Sequence, residues 1–166
     1  RITFNTYNEP FLKIPYLETI FTDSHFVTRD RMGRLITFLA REIIDNDMDP
    51  SKATTKIRGL GIDEQTALLL DINTGIAKCV GKSYAFICTP LTKPEICTKN
   101  TPLTYKSIDC TRLNGTANSL YSFDKFESMD LKLTKIYKNS IINSEFHPTG
   151  QQYGGVPPGN PSLTDD

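Results

Sequence analysis

Hydrophobic positions change their spacing along this chain. Between residues 28 and 44, Met32, Leu35, Ile36, Leu39 and Ile43 recur at steps of three and four, with Arg31, Arg34, Arg41 and Glu42 set between them. That period predicts an amphipathic helix, ended by Asp45-Asn46-Asp47-Met48-Asp49-Pro50. Residues 17–22 read as a short strand that stops at Asp23-Ser24-His25. A further short turn is expected around residues 51–55, and Gly59-Leu60-Gly61 reads as a turn. The apolar run in residues 66–71 suits a largely buried strand. After the turn Asn73-Thr74-Gly75, residues 76–80 and 83–87 predict a hairpin about Gly81-Lys82. The first half is therefore α/β.

Past Cys88 the pattern weakens. Residues 89–119 are rich in Thr, Pro, Asn and Ser, and alternation returns only in residues 119–137, as in Leu131-Lys132-Leu133-Thr134-Lys135-Ile136. One or two strands are expected there. From His147 onward the Pro- and Gly-rich run is too poor in core residues to fold alone, and is expected to drape over the rest. With 166 residues the chain can close one core. Its 38% hydrophobic and 23% charged content excludes a disordered chain. No apolar run approaches the ~18 residues of a spanning helix, so no membrane is expected as a partner. Lys+Arg and Asp+Glu are 19 each, which removes the electrostatic case for nucleic acid.

Cys79, Cys88, Cys97 and Cys110 include no C-x-x-C pair, and the only histidines are His25 and His147. A zinc site is not expected, and neither is any other metal or cofactor. The even count, beside the sequon Asn114-Gly115-Thr116, predicts two disulfides and a glycan at Asn114 in a secreted or lumenal protein. Three pairings are possible, with Cys97–Cys110 the one favoured. The chain opens Arg1-Ile2-Thr3-Phe4 without an initiator Met or a signal-peptide pattern, so a processed precursor is expected.

Chemistry concentrates in two segments. In Asp23-Ser24-His25-Phe26-Val27-Thr28-Arg29-Asp30-Arg31-Met32-Gly33-Arg34-Leu35, a histidine stands between a strand and a helix, where open α/β sheets place reactive groups. Arg31 and Arg34 share a helix face. A lone histidine is more often structural, and an arginine cluster is more often a solvated face. The second segment, Gly59-Leu60-Gly61-Ile62-Asp63-Glu64-Gln65-Thr66-Ala67, lacks the third glycine and following helix of a dinucleotide fingerprint. By itself it reads as a turn with two solvated carboxylates.

Together, His25-Phe26, Arg29, Arg31 and Gly33-Arg34-Leu35, followed by Gly59-Leu60-Gly61-Ile62-Asp63-Glu64 and Thr66-Ala67, resemble the second half of cyanophycinase and its relatives in the peptidase E family. The resemblance covers residues 14–88 and nothing in 89–166. It implies an α/β fold, the second half of a class I glutamine amidotransferase-like sheet sandwiched by helices, plus a β or irregular C-terminal extension. Residues 1–88 would be the C-terminal half of the α/β domain, and 89–166 a disulfide-containing extension and tail packing on it. It further implies a Ser-His-Glu hydrolase in which His25 is the general base and Glu64 orients it. Arg29, Arg31 and Arg34 would bind substrate carboxylates beside Asp23 and Ser24, or hold the loop. Ser24 stands where glutamine is expected in bacterial cyanophycinases, and Asp30 where a small residue is common, so the bacterial substrate does not carry over.

The serine is missing. No G-x-S-x-G elbow occurs. Ser24 is adjacent to His25 and would point to the opposite face, and Ser83 lies in a turn with no oxyanion helix after it. The implied partner is the N-terminal chain of the same precursor, carrying the nucleophile, and further homo-oligomerisation is expected. The expected function is hydrolysis of acidic peptides or polymers. The alternative is a secreted structural or assembly protein that keeps the fold without the activity.

Overall fold

The computed structural model describes residues 14–52 and 57–159. Its elements run β1 (Ile20–Ser24), α1 (Met32–Asp45), β2 (Arg58–Ile62), β3 (Thr66–Asp71), β4 (Ile76–Gly81), β5 (Tyr84–Pro90), β6 (Tyr105–Asn114), β7 (Leu120–Ser122), β8 (Glu127–Ser128), β9 (Thr134–Ile142) and β10 (Glu145–His147). The fold is mixed α/β and mostly sheet. A six-stranded sheet has the order β1-β2-β5-β6-β9-β10, and a four-stranded sheet the order β3-β4-β7-β8. β1 and β2 run parallel, joined through α1, and the remaining strand pairs are antiparallel.

The larger sheet has a core on each face. α1 buries Met32, Leu35, Ile36, Leu39, Ala40 and Ile43 against Phe86, Cys88, Ile108 and Cys110 on one face. On the other face, Leu60, Ala85, Ile87 and Leu113 meet Ala77, Cys79, Tyr121 and Phe123 from the smaller sheet and the turn after β7. β5 serves both cores because its side chains alternate. The expected pair of helical layers is thus corrected for the described residues: one face carries α1 and the other a second sheet.

Gly59-Leu60-Gly61 is a strand, not a turn. A Cβ on Gly59 would come within 2.9 Å of Leu35, and one on Gly61 within 2.4 Å of the Phe26 ring. The two glycines therefore let the helix layer lie flat on β2. β3 is also not a buried strand: its side chains alternate, and Leu69 is 56% exposed while Leu68 and Leu70 turn to the core. The expected hairpin of β4 with β5 does not form. β4 pairs with β3 across Asn73-Thr74-Gly75, and the chain changes sheets at Gly81, where φ is +124°. The expected strand at 17–22 lies instead at Ile20–Ser24, and α1 starts four residues later than residue 28. The turn expected around 51–55 lies partly outside the described residues. β6 falls within a stretch expected to be irregular, and with β9 and β10 it continues the sheet that β1 begins. No helix among the described residues is long and apolar enough to cross a membrane.

Candidate active site

Ser24 and Ile62 are register partners at the ends of parallel β1 and β2. His25 follows one and Asp63-Glu64 the other, so both segments emerge at the same carboxyl edge, where α/β sheets form their crevices. His25 Nδ1 and Glu64 Oε1 are hydrogen-bonded there. The imidazole side chain is 43% exposed and the Glu64 side chain 19%. The pair leaves Nε2 as the ring nitrogen that Glu64 does not engage. Thr66 Oγ1 donates to the Glu64 carbonyl at 3.1 Å and accepts the Ser83 N–H at 2.9 Å, tying the Glu64 turn to the β4–β5 crossing.

His25 has φ of +48°, a left-handed conformation that a non-glycine residue holds only under constraint. Part of that constraint is Asp63, only 4% exposed. Its Oδ1 accepts the N–H groups of Val27 and Thr28 at 3.0 and 3.1 Å and the Thr28 hydroxyl at 3.1 Å. Its Oδ2 accepts the Ser83 hydroxyl at 2.6 Å. Asp63 thus grips the turn after His25 while its neighbour Glu64 meets the ring.

The cleft beside the pair has a volume of about 850 Å³, within the usual range for small-ligand sites. Asp23, Ser24, His25, Arg31, Arg34 and Glu64 line it. Arg34 meets Asp23 with a two-pronged fork, Nε to Oδ2 at 2.8 Å and Nη2 to Oδ1, and this bond holds its guanidinium above its ordinary value. Arg31 Nη1 donates to the Ser24 carbonyl at 2.8 Å and reaches Asp23 at 3.4 Å and the Ser24 hydroxyl at 3.5 Å. Arg29 is exposed and is not among the residues lining this cleft. Among the described residues no hydroxyl is hydrogen-bonded to the His25 ring, and no group of three or more His, Cys, Asp or Glu is placed to hold a metal.

The structure thus brings together His25, Glu64, Asp23, Ser24, Arg31 and Arg34. Asp63, Thr28 and Ser83 were not singled out as site residues by sequence. The available signal for Asp63 was its place one residue before Glu64 at a strand end, facing a turn whose amides need an acceptor.

The two expected disulfides, the favoured Cys97–Cys110 pair among them, are absent from the structure: all four cysteines are free. Cys88 and Cys110 are register partners on β5 and β6, with sulfurs 3.7 Å apart against about 2.05 Å in a disulfide. Cys79 belongs to the other core, and Cys97 is half-buried. Asn114 ends β6, its side-chain oxygen accepting from Thr116 N at 3.0 Å and Thr116 Oγ1 at 2.8 Å. No protein-family model, curated protein or solved structure matches this chain.

Proposed function

We propose that this chain is the base-bearing half of a secreted serine hydrolase of the cyanophycinase and peptidase E type, with the serine carried by the N-terminal chain of the same precursor. The observation that carries this reading is the His25–Glu64 hydrogen bond at the lip of a cleft on the carboxyl edge of two parallel strands. A carboxylate on Nδ1 keeps the ring proton there and leaves the Nε2 lone pair to act as base. In the first half-reaction, the serine oxygen attacks an amide or ester carbonyl and its proton passes to Nε2. The tetrahedral intermediate collapses as Nε2 returns that proton to the leaving amine or alcohol. Water repeats the cycle on the acyl-serine, and Glu64 stabilises the imidazolium in both halves. Among the described residues β1 pairs on one side only, so a parallel strand added at its other edge would end beside His25.

The substrate would be an acidic peptide or polymer. The Arg34 side chain lines the cleft and is 46% exposed even with its fork on Asp23, so it can still meet a substrate carboxylate. Glycosylation at Asn114 belongs to the same secreted reading. The test is His25→Ala in the assembled two-chain protein, assayed on acidic peptides. Turnover should vanish while the chains stay associated, and unchanged turnover would remove His25 from the mechanism.

A non-catalytic structural or assembly role is the second reading. It is favoured by the commitment of both cleft arginines to Asp23. A fluorophosphonate probe separates the two: it should label a serine in the partner chain of an active hydrolase and label nothing in an assembly protein.

A further inference from the structure

The chain beyond Cys88 reaches back to the site through one side chain. Tyr153 is fully buried, edge-on to the rings of Phe26 and Phe86 at centroid distances of 5.7 and 5.5 Å. Its hydroxyl lies 3.1 Å from the Phe26 carbonyl oxygen and 2.9 Å from Asp30 Oδ1, so its single proton serves either acceptor. The same oxygen accepts the Met32 N–H at 3.0 Å. It thereby satisfies one of the amides a helix start leaves without a partner, at a helix whose N-cap residue makes no side-chain capping bond. Beside it, the Gln152 amide donates to Asp30 at 3.3 Å and the Gly159 N–H to the Val27 carbonyl at 3.1 Å. The segment is itself moored to the large sheet: the Gln152 carbonyl accepts from Tyr137 and Asn139, both at 3.0 Å, and the Gly154 carbonyl from Lys135 at 2.6 Å.

What this strap holds is the turn that presents His25. Both ends of that turn sit in the left-handed region, His25 at φ +48° and Asp30 at +47°, and such conformations persist where their surroundings over-determine them. Asp63 grips the amide side of the turn through Val27 and Thr28. Tyr153 grips the carbonyl of Phe26, the residue joined to His25, together with the far end at Asp30 and Met32. Burial pushes the Tyr153 phenol up, which keeps its proton in place as a donor.

We infer that Tyr153 is a positioning residue for His25, its hydroxyl locking the 26–32 turn so that the imidazole meets Glu64 in one orientation. This rests on the hydrolase reading above and adds to it a role for the C-terminal extension. The test is proton and nitrogen NMR of the full chain, in which His147→Gln assigns the signal of the only other imidazole. The wild-type chain should show a downfield Nδ1–H resonance that Glu64→Gln shifts. Tyr153→Phe keeps the ring and should speed solvent exchange of that proton about tenfold, the effect of one lost hydrogen bond. Tyr105→Phe, which deletes an equally buried hydroxyl bonded to the Thr92 carbonyl away from the turn, should leave the resonance unchanged. Asp30→Gly accepts the positive φ and should give an intermediate rate, and it decides the matter if Tyr153→Phe does not fold. An exchange rate that neither Tyr153→Phe nor Asp30→Gly alters overturns the proposal alone. A wild-type chain whose ring proton is insensitive to Glu64→Gln overturns the hydrolase reading and this inference with it.

Discussion

At His25 the geometry is held by two neighbouring carboxylates with different tasks. The ring is aimed by Glu64, and the backbone beneath it is clamped by the buried carboxylate of Asp63. The two neighbours should therefore fail differently when changed. Glu64→Gln keeps the shape but offers a poor partner to the imidazolium, and should lower kcat by on the order of 10³-fold with little loss of stability, as steady-state kinetics and thermal melting of the assembled protein would show. Asp63→Ala leaves the amides of Val27 and Thr28 and two hydroxyls without their acceptor. It should cost at least about 3 kcal/mol in urea denaturation. His25 and Glu64 are singled out in sequence by the resemblance of the two segments that hold them, and the structure brings their side chains into contact. Asp63 is not singled out, because a carboxylate beside another at a strand end reads equally well as solvated. Only the positive φ at His25 reveals how much support that turn needs.

Among the elements, the helix period was readable because one face of α1 is apolar and the other is not. β2 reads as a turn in sequence because of its glycines, and it is a strand because Leu35 and Phe26 pack where side chains would stand. Gly61→Ala should force the Phe26 ring aside and cost about 1–3 kcal/mol, a fall in Tm of roughly 3–10 °C, measurable by circular dichroism. β6 is not legible in sequence because the register shift between Tyr105 and Ile108 breaks its alternation partway along. The cysteines test the ladder between β5 and β6. Burial pushes the Cys79 thiol up to about 11 and also raises Cys97. Cys110 is raised first by its contact with Cys88 and then by burial. Of the four, only Cys97 is not buried. Alkylation of the native chain near neutral pH without reductant should therefore modify Cys97 first, read by peptide mass spectrometry. Protection of all four thiols until a reductant is added would instead mean bridged cysteines.

Across the whole molecule, exposed carboxylates contribute to the loss of stability in acid. The bond from Lys93 holds the Asp47 carboxyl below its ordinary value. The Ser51 hydroxyl does the same for Asp49, and the Asn73 amide, with Thr74, for Asp71. Depressed folded values mean that these groups stabilise the fold above the ordinary carboxylate range and lose that contribution as pH falls through it. Glu42, raised chiefly by burial, works in the opposite direction. Thermal stability should therefore decline below about pH 4, and a flat profile from pH 5 to 2 would contradict these contacts. At this scale the sequence announced a mixed α/β chain and the order of its site segments. It did not announce that residues on both sides of Cys88 share one sheet, because strand pairing over such separations leaves no local trace. The strap that carries Tyr153 has a temporal consequence. A chain made from its amino end releases His25 and Glu64 long before Tyr153, so the turn that presents the imidazole stays unclamped by the strap until late in synthesis.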